Sequence, residues 1–155
     1  MIRTLLAGFA FAIALTAQAQ SDLASYAGAD RMERLAAAAK KEGGFTLYTS
    51  FAEKDLPTLI PPFEKKYGVK VKVWRASTVN VLQRVITEAR AGRHDVDVVL
   101  MSAPEMEALH REKLLQPVTS PQHRNLVAGA VPAHREWIAG EVLAASLERI
   151  LRFFR

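Results

Sequence analysis

The sequence predicts an α/β fold built on a mostly parallel sheet of strand order 2-1-3, and three observations predict it. Between Phe45 and Met101 the apolar residues switch repeatedly between an alternating pattern and a helical period of about 3.6 residues, giving strand, helix, strand, helix, strand. The stretch VKVKVW (69–74) alternates strictly and puts Lys70 and Lys72 on one side. A central strand of a doubly wound sheet is apolar on both faces, so this one belongs at an edge, where lysines also block unwanted pairing. DVDVVLM (95–101) is valine-rich and reads as the more central strand. With right-handed crossovers, the order second–first–third satisfies these readings and creates a topological switch point between the first and third strands.

The chain begins with a positive Arg3, the apolar run LLAGFAFAIALTA (5–17) and small residues at Ala17-Gln18-Ala19. That is the pattern of a secretory signal peptide over 1–19, and its apolar run is short for a membrane span. Residues 20–155 are then the exported part, with no membrane insertion after cleavage. Asp30-Arg-Met-Glu33 has the spacing of a capping box and opens a helix with Met32, Leu35, Ala36 and Ala39 inward, closing at Gly43–Gly44. FTLYTS (45–50) is the first strand. LPTLIPPFEKKY (56–67) places Leu56, Leu59, Ile60, Phe63 and Tyr67 on one helical face, while Pro61 and Pro62 predict a kink or break near Ile60. VLQRVITEARAG (81–92) carries a stripe of Val81, Leu82, Val85, Ile86 and Ala89 and stops at Gly92. Ser102-Ala-Pro-Glu105 opens a further helix with Met106 and Leu109 inward. Leu114–Leu115 return the chain to the core, and 116–133, with three prolines, reads as a long surface loop. At the C-terminus Leu143, Leu147, Ile150, Leu151 and Phe154 recur at helical spacing.

Composition narrows the function classes. The 155 residues contain no cysteine, which excludes disulfides, zinc–thiolate sites, iron–sulfur clusters and a cysteine nucleophile. The formal charge of +5 comes from basic residues interleaved with acids along the chain, a solvated surface rather than a nucleic-acid face. No nucleophile elbow, phosphate loop or dinucleotide fingerprint is present, so no enzyme and no cofactor is expected. The histidines, His94, His110, His123 and His134, sit in loops or on a polar helix face without an H-x-x-x-H pair, and no metal site is expected. Asp95 and Asp97 flank the start of a strand, and Trp74 at a strand end is more readily a packing residue than a ligand platform.

In parallel α/β sheets, ligands sit outside the carboxyl ends of the strands. Those ends carry Thr49 and Ser50, Ser77 and Thr78, and Ser102 and Ala103. Each is a hydroxyl-bearing turn at a helix N-terminus, where unpaired amides and the helix dipole favour an anion or polar ligand. The plainer reading is helix capping: Ser50 and Ser102 both start S-x-x-E patterns (Glu53, Glu105), and Ser77 or Thr78 would serve the third helix. The two roles are compatible.

The stretches LYTSFAEKDLPTLIPPFEKKYGVKVKVWRAS and LQRVITEARAGRHDVDVVLMSAPEMEAL resemble the bacterial extracellular (periplasmic) solute-binding proteins of ABC importers, type II, in the branch of ferric-iron, thiamine and polyamine binders. The resemblance covers about 35–137. It implies a periplasmic-binding-protein-like lobe, one half of a clamshell that holds a small anionic or oxygen-rich solute, a metal complex included, and delivers it to a cognate ABC permease. It also implies that Thr49, Ser50, Ser77, Thr78, Ser102 and Ala103 line the cleft. Ferric-iron members often place a histidine after the first strand and a glutamate after the third; Ala52 and Ser102–Ala103 stand there, so iron binding is not carried over. The family is roughly twice this length, so the chain reads as an N-terminal lobe, apparently truncated, with the second lobe absent. The expected function is solute capture in the periplasm. The alternatives are a small exported interaction protein that docks through its C-terminal amphipathic helix, or a non-functional gene fragment.

Overall fold

The computed structural model describes residue 23 and residues 26–139; the signal-peptide pattern and the apolar stripe of 143–155 lie outside the described residues. Within them the order is α1 (Arg31–Glu42), β1 (Gly44–Thr49), α2 (Leu56–Tyr67), β2 (Lys70–Arg75), α3 (Thr78–Arg90), β3 (Val98–Leu100) and α4 (Ala103–Arg111), with short 3-10 turns at Glu53–Asp55 and Pro121–Asn125. The three strands form one parallel sheet in the order β2-β1-β3, as the residue pattern predicts. Phe45 is in register with Val71, and Leu47 lies between Val73 and Val98. Among the described residues no helix is long and apolar enough to cross a membrane.

β1 is central because its residues are apolar or aromatic on both sides of the pleat. Leu47, Tyr48 and Thr49 are all buried. Side chains alternate along a strand, so Phe45 and Tyr48 point to opposite faces. Phe45 meets Phe63 of α2 edge-on, with ring centroids 5.8 Å apart. Tyr48 joins Val81 and Val85 of α3 and Leu109 of α4 in the main core, with Leu114 and Leu115 packed against it. Helices therefore cover both faces of the sheet.

Several expectations are corrected. β3 is not central: among the described residues it pairs only with β1, and Val98 is 44% exposed. Its three paired residues fall short of the valine run because Asp97 diverts the chain, accepting the Thr46 amide on Oδ2 at 2.7 Å. α2 runs unbroken through Pro61 and Pro62. Both prolines are exposed, so the carbonyls of Pro57 and Thr58 that lose their helical donors face water. Leu59, at 47% exposure, and Met32, at 48%, do not turn inward. At the head of α1, Asp30 caps no amide with its side chain. Its carboxylate instead accepts from the Tyr26 hydroxyl and from Arg34 Nε, each at 2.6 Å. α3 starts at Thr78, earlier than its apolar stripe, because Ser77 caps it.

Candidate functional site

A concave cavity of about 590 Å³ opens at the carboxyl ends of β1 and β3, the position the switch point predicts. Its size falls in the range of small-molecule sites. Ser50, Thr78, Ser102 and Ala103 line it, together with Phe51, Ala52, Asp55, Met101, Met106 and Trp137. Four of the six residues singled out at the strand ends are thus gathered at one wall. The sheet aligns them: Ser50 follows β1 and donates its amide to Leu100 O of β3 at 3.0 Å, which ties the β1 and β3 turns together. Ala76 donates to Thr49 O at 3.1 Å and ties in the third turn.

The other two residues are placed differently. Thr49 is fully buried, and its Oγ1 accepts from the Phe51 amide at 3.0 Å, so it shapes the turn from behind. Ser77 does not line the cavity; its Oγ caps α3 by accepting from the Asn80 amide at 3.3 Å. The capping reading therefore holds for Ser77 and fails for Ser50, because a 3-10 turn at Glu53–Asp55, with Ala52 at its cap position, intervenes before α2. Ser102 stands at the cap position of α4 but makes no side-chain cap bond. Its hydroxyl lies 3.3 Å from Thr78 Oγ1 and donates to Glu105 Oε2 at 2.9 Å.

The arrangement suits oxygen-rich, negatively polarised ligands. α3 and α4 both begin at the cavity, with their positive dipole ends there. The first-turn amides of Thr78 and Val79 have no carbonyl upstream to satisfy them within the helix. Three hydroxyls supply rotatable donors and acceptors. Among the described residues Asp55 is the only charged one on the lining, and Phe51, Met101, Met106 and Trp137 give it apolar walls.

Of the residues that residue-by-residue reading missed, Phe51 and Asp55 follow directly from the β1 turn, whereas Trp137 arrives from a segment far along the chain. Trp137 is held by its indole, which donates to Glu107 Oε2 of α4 at 3.2 Å. That bond is the first of the causes that hold the Glu107 carboxyl below its ordinary value, followed by the contact with His134. Trp74 packs as expected: its ring lies 5.0 Å from that of Tyr48, under the Arg84 guanidinium.

No family model matches the chain, and no curated protein matches it. Solved structures do. FutA (IdiA) from Trichodesmium, in complex with iron and citrate, superposes with a TM-score of 0.55 at 24% identity over 62% of this chain. Iron-bound HitA from Pseudomonas aeruginosa superposes with a TM-score of 0.54 at 21% identity over 61% of this chain. The fold is thereby that of a periplasmic-binding-protein lobe, an α/β sheet of order 2-1-3 flanked by helices. The match spans 30% and 31% of the lengths of those two structures.

Proposed function

We propose that this chain supplies one wall of the solute site of an exported substrate-binding protein serving an ABC importer. The observation that carries the proposal is the convergence of Ser50, Thr78 and Ser102 with two helix N-termini in one cavity at the switch point. Such a wall binds without chemistry: it offers hydrogen bonds and a positive dipole field but no paired nucleophile and base. The likeness to structures holding iron, one of them with citrate, supports a carboxylate-rich solute or a metal chelate as cargo. A bare ferric ion fits this wall less well. Among the described residues Asp55 is its one anionic side chain, whereas amides and hydroxyls hydrogen-bond readily to the oxygens of a chelator. High affinity requires burial of most of the ligand surface, which one wall does not provide. A cognate permease and export through residues 1–19 complete the reading.

The test is amide chemical-shift perturbation on the isotopically labelled protein, titrated with citrate and with a diamagnetic gallium–citrate complex. Shifts are expected at Ser50, Thr78, Ser102 and Ala103, and should shrink about tenfold in a Thr78→Val/Ser102→Ala variant. Perturbations confined to other surfaces, or unchanged in that variant, would remove the cleft assignment.

A further inference from the structure

Beside the cleft, α4 and the Pro132–Trp137 segment bring together a cluster that the solute site does not use. Glu107 and His110 are three residues apart on α4 and share a face. His134 reaches the same point from the segment that carries Trp137. One ligand atom from each of Glu107, His110 and His134 lies within 4.8 Å of the others. The two imidazoles stack with centroids 3.8 Å apart and planes inclined by 14°. All three side chains are partly buried, at 41%, 30% and 20% exposure.

We propose that Glu107, His110 and His134 form a site for a divalent zinc-class cation, separate from the solute cleft and independent of the identity of its solute. Two imidazoles and a carboxylate are a donor set suited to zinc, with water as the fourth ligand. A supporting group is already in place. His110 Nδ1 lies 2.7 Å from Glu136 Oε2. A carboxylate on one ring nitrogen holds the proton there and presents the lone pair of Nε2, the usual arrangement behind a metal-bound histidine. The hydrogen bonds that Glu107 accepts from His134 and Trp137 both fall on Oε2, so its carboxylate is already turned toward the imidazole of His134. Glu107 and Glu136 thus place two carboxylates beside two imidazoles, a donor set that suits a dication.

In the metal-free arrangement a proton stands in the cation's place. His134 Nδ1 accepts the Glu136 amide at 3.1 Å, so its proton lies on Nε2, 3.4 Å from Glu107 Oε2. A cation at Nε2 sends that proton to Nδ1 and releases the Glu136 amide. Stacked rings direct their lone pairs side by side, so the stack must also open for both to meet one ion. Each change moves the segment that ends in Trp137, a lining residue of the cleft.

The experiment is a titration of chelator-treated protein with Zn²⁺, followed by calorimetry and by tryptophan emission in a Trp74→Phe background, where Trp137 is the remaining indole. Binding of one equivalent with a change in Trp137 emission is expected. Replacing His110 or His134 by Ala should weaken it at least tenfold, and Glu136→Gln by about tenfold or more. The variant His94→Ala/His123→Ala should retain the wild-type constant, and excess Mg²⁺ should not compete. Circular dichroism identifies any variant that fails to fold, and Glu136→Gln, which keeps the shape of the side chain, then decides the matter. Binding that survives in a folded His110→Ala/His134→Ala variant, that follows His94 and His123, or that is missing from the wild type would overturn the proposal.

Discussion

A buried carboxylate is costly unless its oxygens are paired, and Glu88, at 3% exposure, is the buried carboxylate of this core. Tyr48 donates its hydroxyl to both oxygens at 3.1 Å, and Arg84 Nε reaches Oε1 at 2.7 Å. Arg84 in turn lies over the rings of Tyr48 and Trp74. One side chain thus ties α3 to the central strand and to β2. Arg84 is itself 37% exposed, so water weakens the ionic part and the hydrogen bonds carry most of the effect. Glu88→Ala should lower unfolding stability by about 1–3 kcal/mol, because it leaves the Tyr48 hydroxyl buried without an acceptor. Urea denaturation measures this, and an unchanged midpoint with an unchanged slope would show that the network carries no stability. A trace of it was legible in the sequence, since Glu88 falls on the same helical stripe as Val81 and Val85. Nothing local, however, announced the tyrosine that receives it.

Among the elements, β2 shows how an edge is closed. Lys70 and Lys72 are exposed, as the alternation predicted, and the structure adds Glu64. Its Oε1 accepts the Val71 amide at 2.9 Å and its Oε2 the Lys70 ammonium at 3.3 Å, so α2 covers a donor on the strand's free side. The Val71 amide first, then Lys70, hold the Glu64 carboxyl below its ordinary value of 4.5. A lowered folded-state value means stability that is present above the unfolded value and lost as pH falls through the folded one. Wild type should therefore lose stability as pH falls below the ordinary carboxylate range, and Glu64→Gln should show a shallower loss on acid titration followed by circular dichroism. Equal acid profiles would remove Glu64 from the account. Gly44, in register with Lys70, governs the same end of the sheet from β1. At φ 151° it starts β1 where a Cβ would sit 2.5 Å from Lys70 O. Gly44→Ala should cost about 2 kcal/mol or more, read as a lowered melting temperature, because neither the backbone angle nor the neighbouring carbonyl yields cheaply.

At the scale of the molecule, the two stacked sides of the sheet converge on one functional edge, and everything proposed for the solute depends on that edge facing a periplasmic environment. Export makes a separate prediction. Mass spectrometry of the protein from the periplasmic fraction should find a mature N-terminus at Gln20; an intact Met1 in the cytoplasm would sink the proposed location and, with it, the role in import. The cleft and the cation cluster are neighbours on α4, since Met106 and Trp137 line the cavity and His110, four residues after Met106, lies on the same side of the helix. Trp137 bridges them through its bond to Glu107.

Element types, the strand order and the residues at the strand ends were readable from the sequence because each depends on local periodicity and on chirality rules that act over a few residues. The resemblance to solute-binding proteins was readable for the same reason: it rests on contiguous motifs from the first strand to the fourth helix. Tertiary structure alone decided which strand-end hydroxyls face the cavity. Thr49 and Ser77 carry the same chemistry as Ser50 and Thr78, yet one is buried behind the turn and the other caps a helix. A hydroxyl's role follows from which amide lies within about 3 Å of it, and that distance is set by packing between elements rather than by spacing along the chain. The same holds for Trp137 and for the meeting of His110 with His134, residues that the chain separates and only the fold brings into contact.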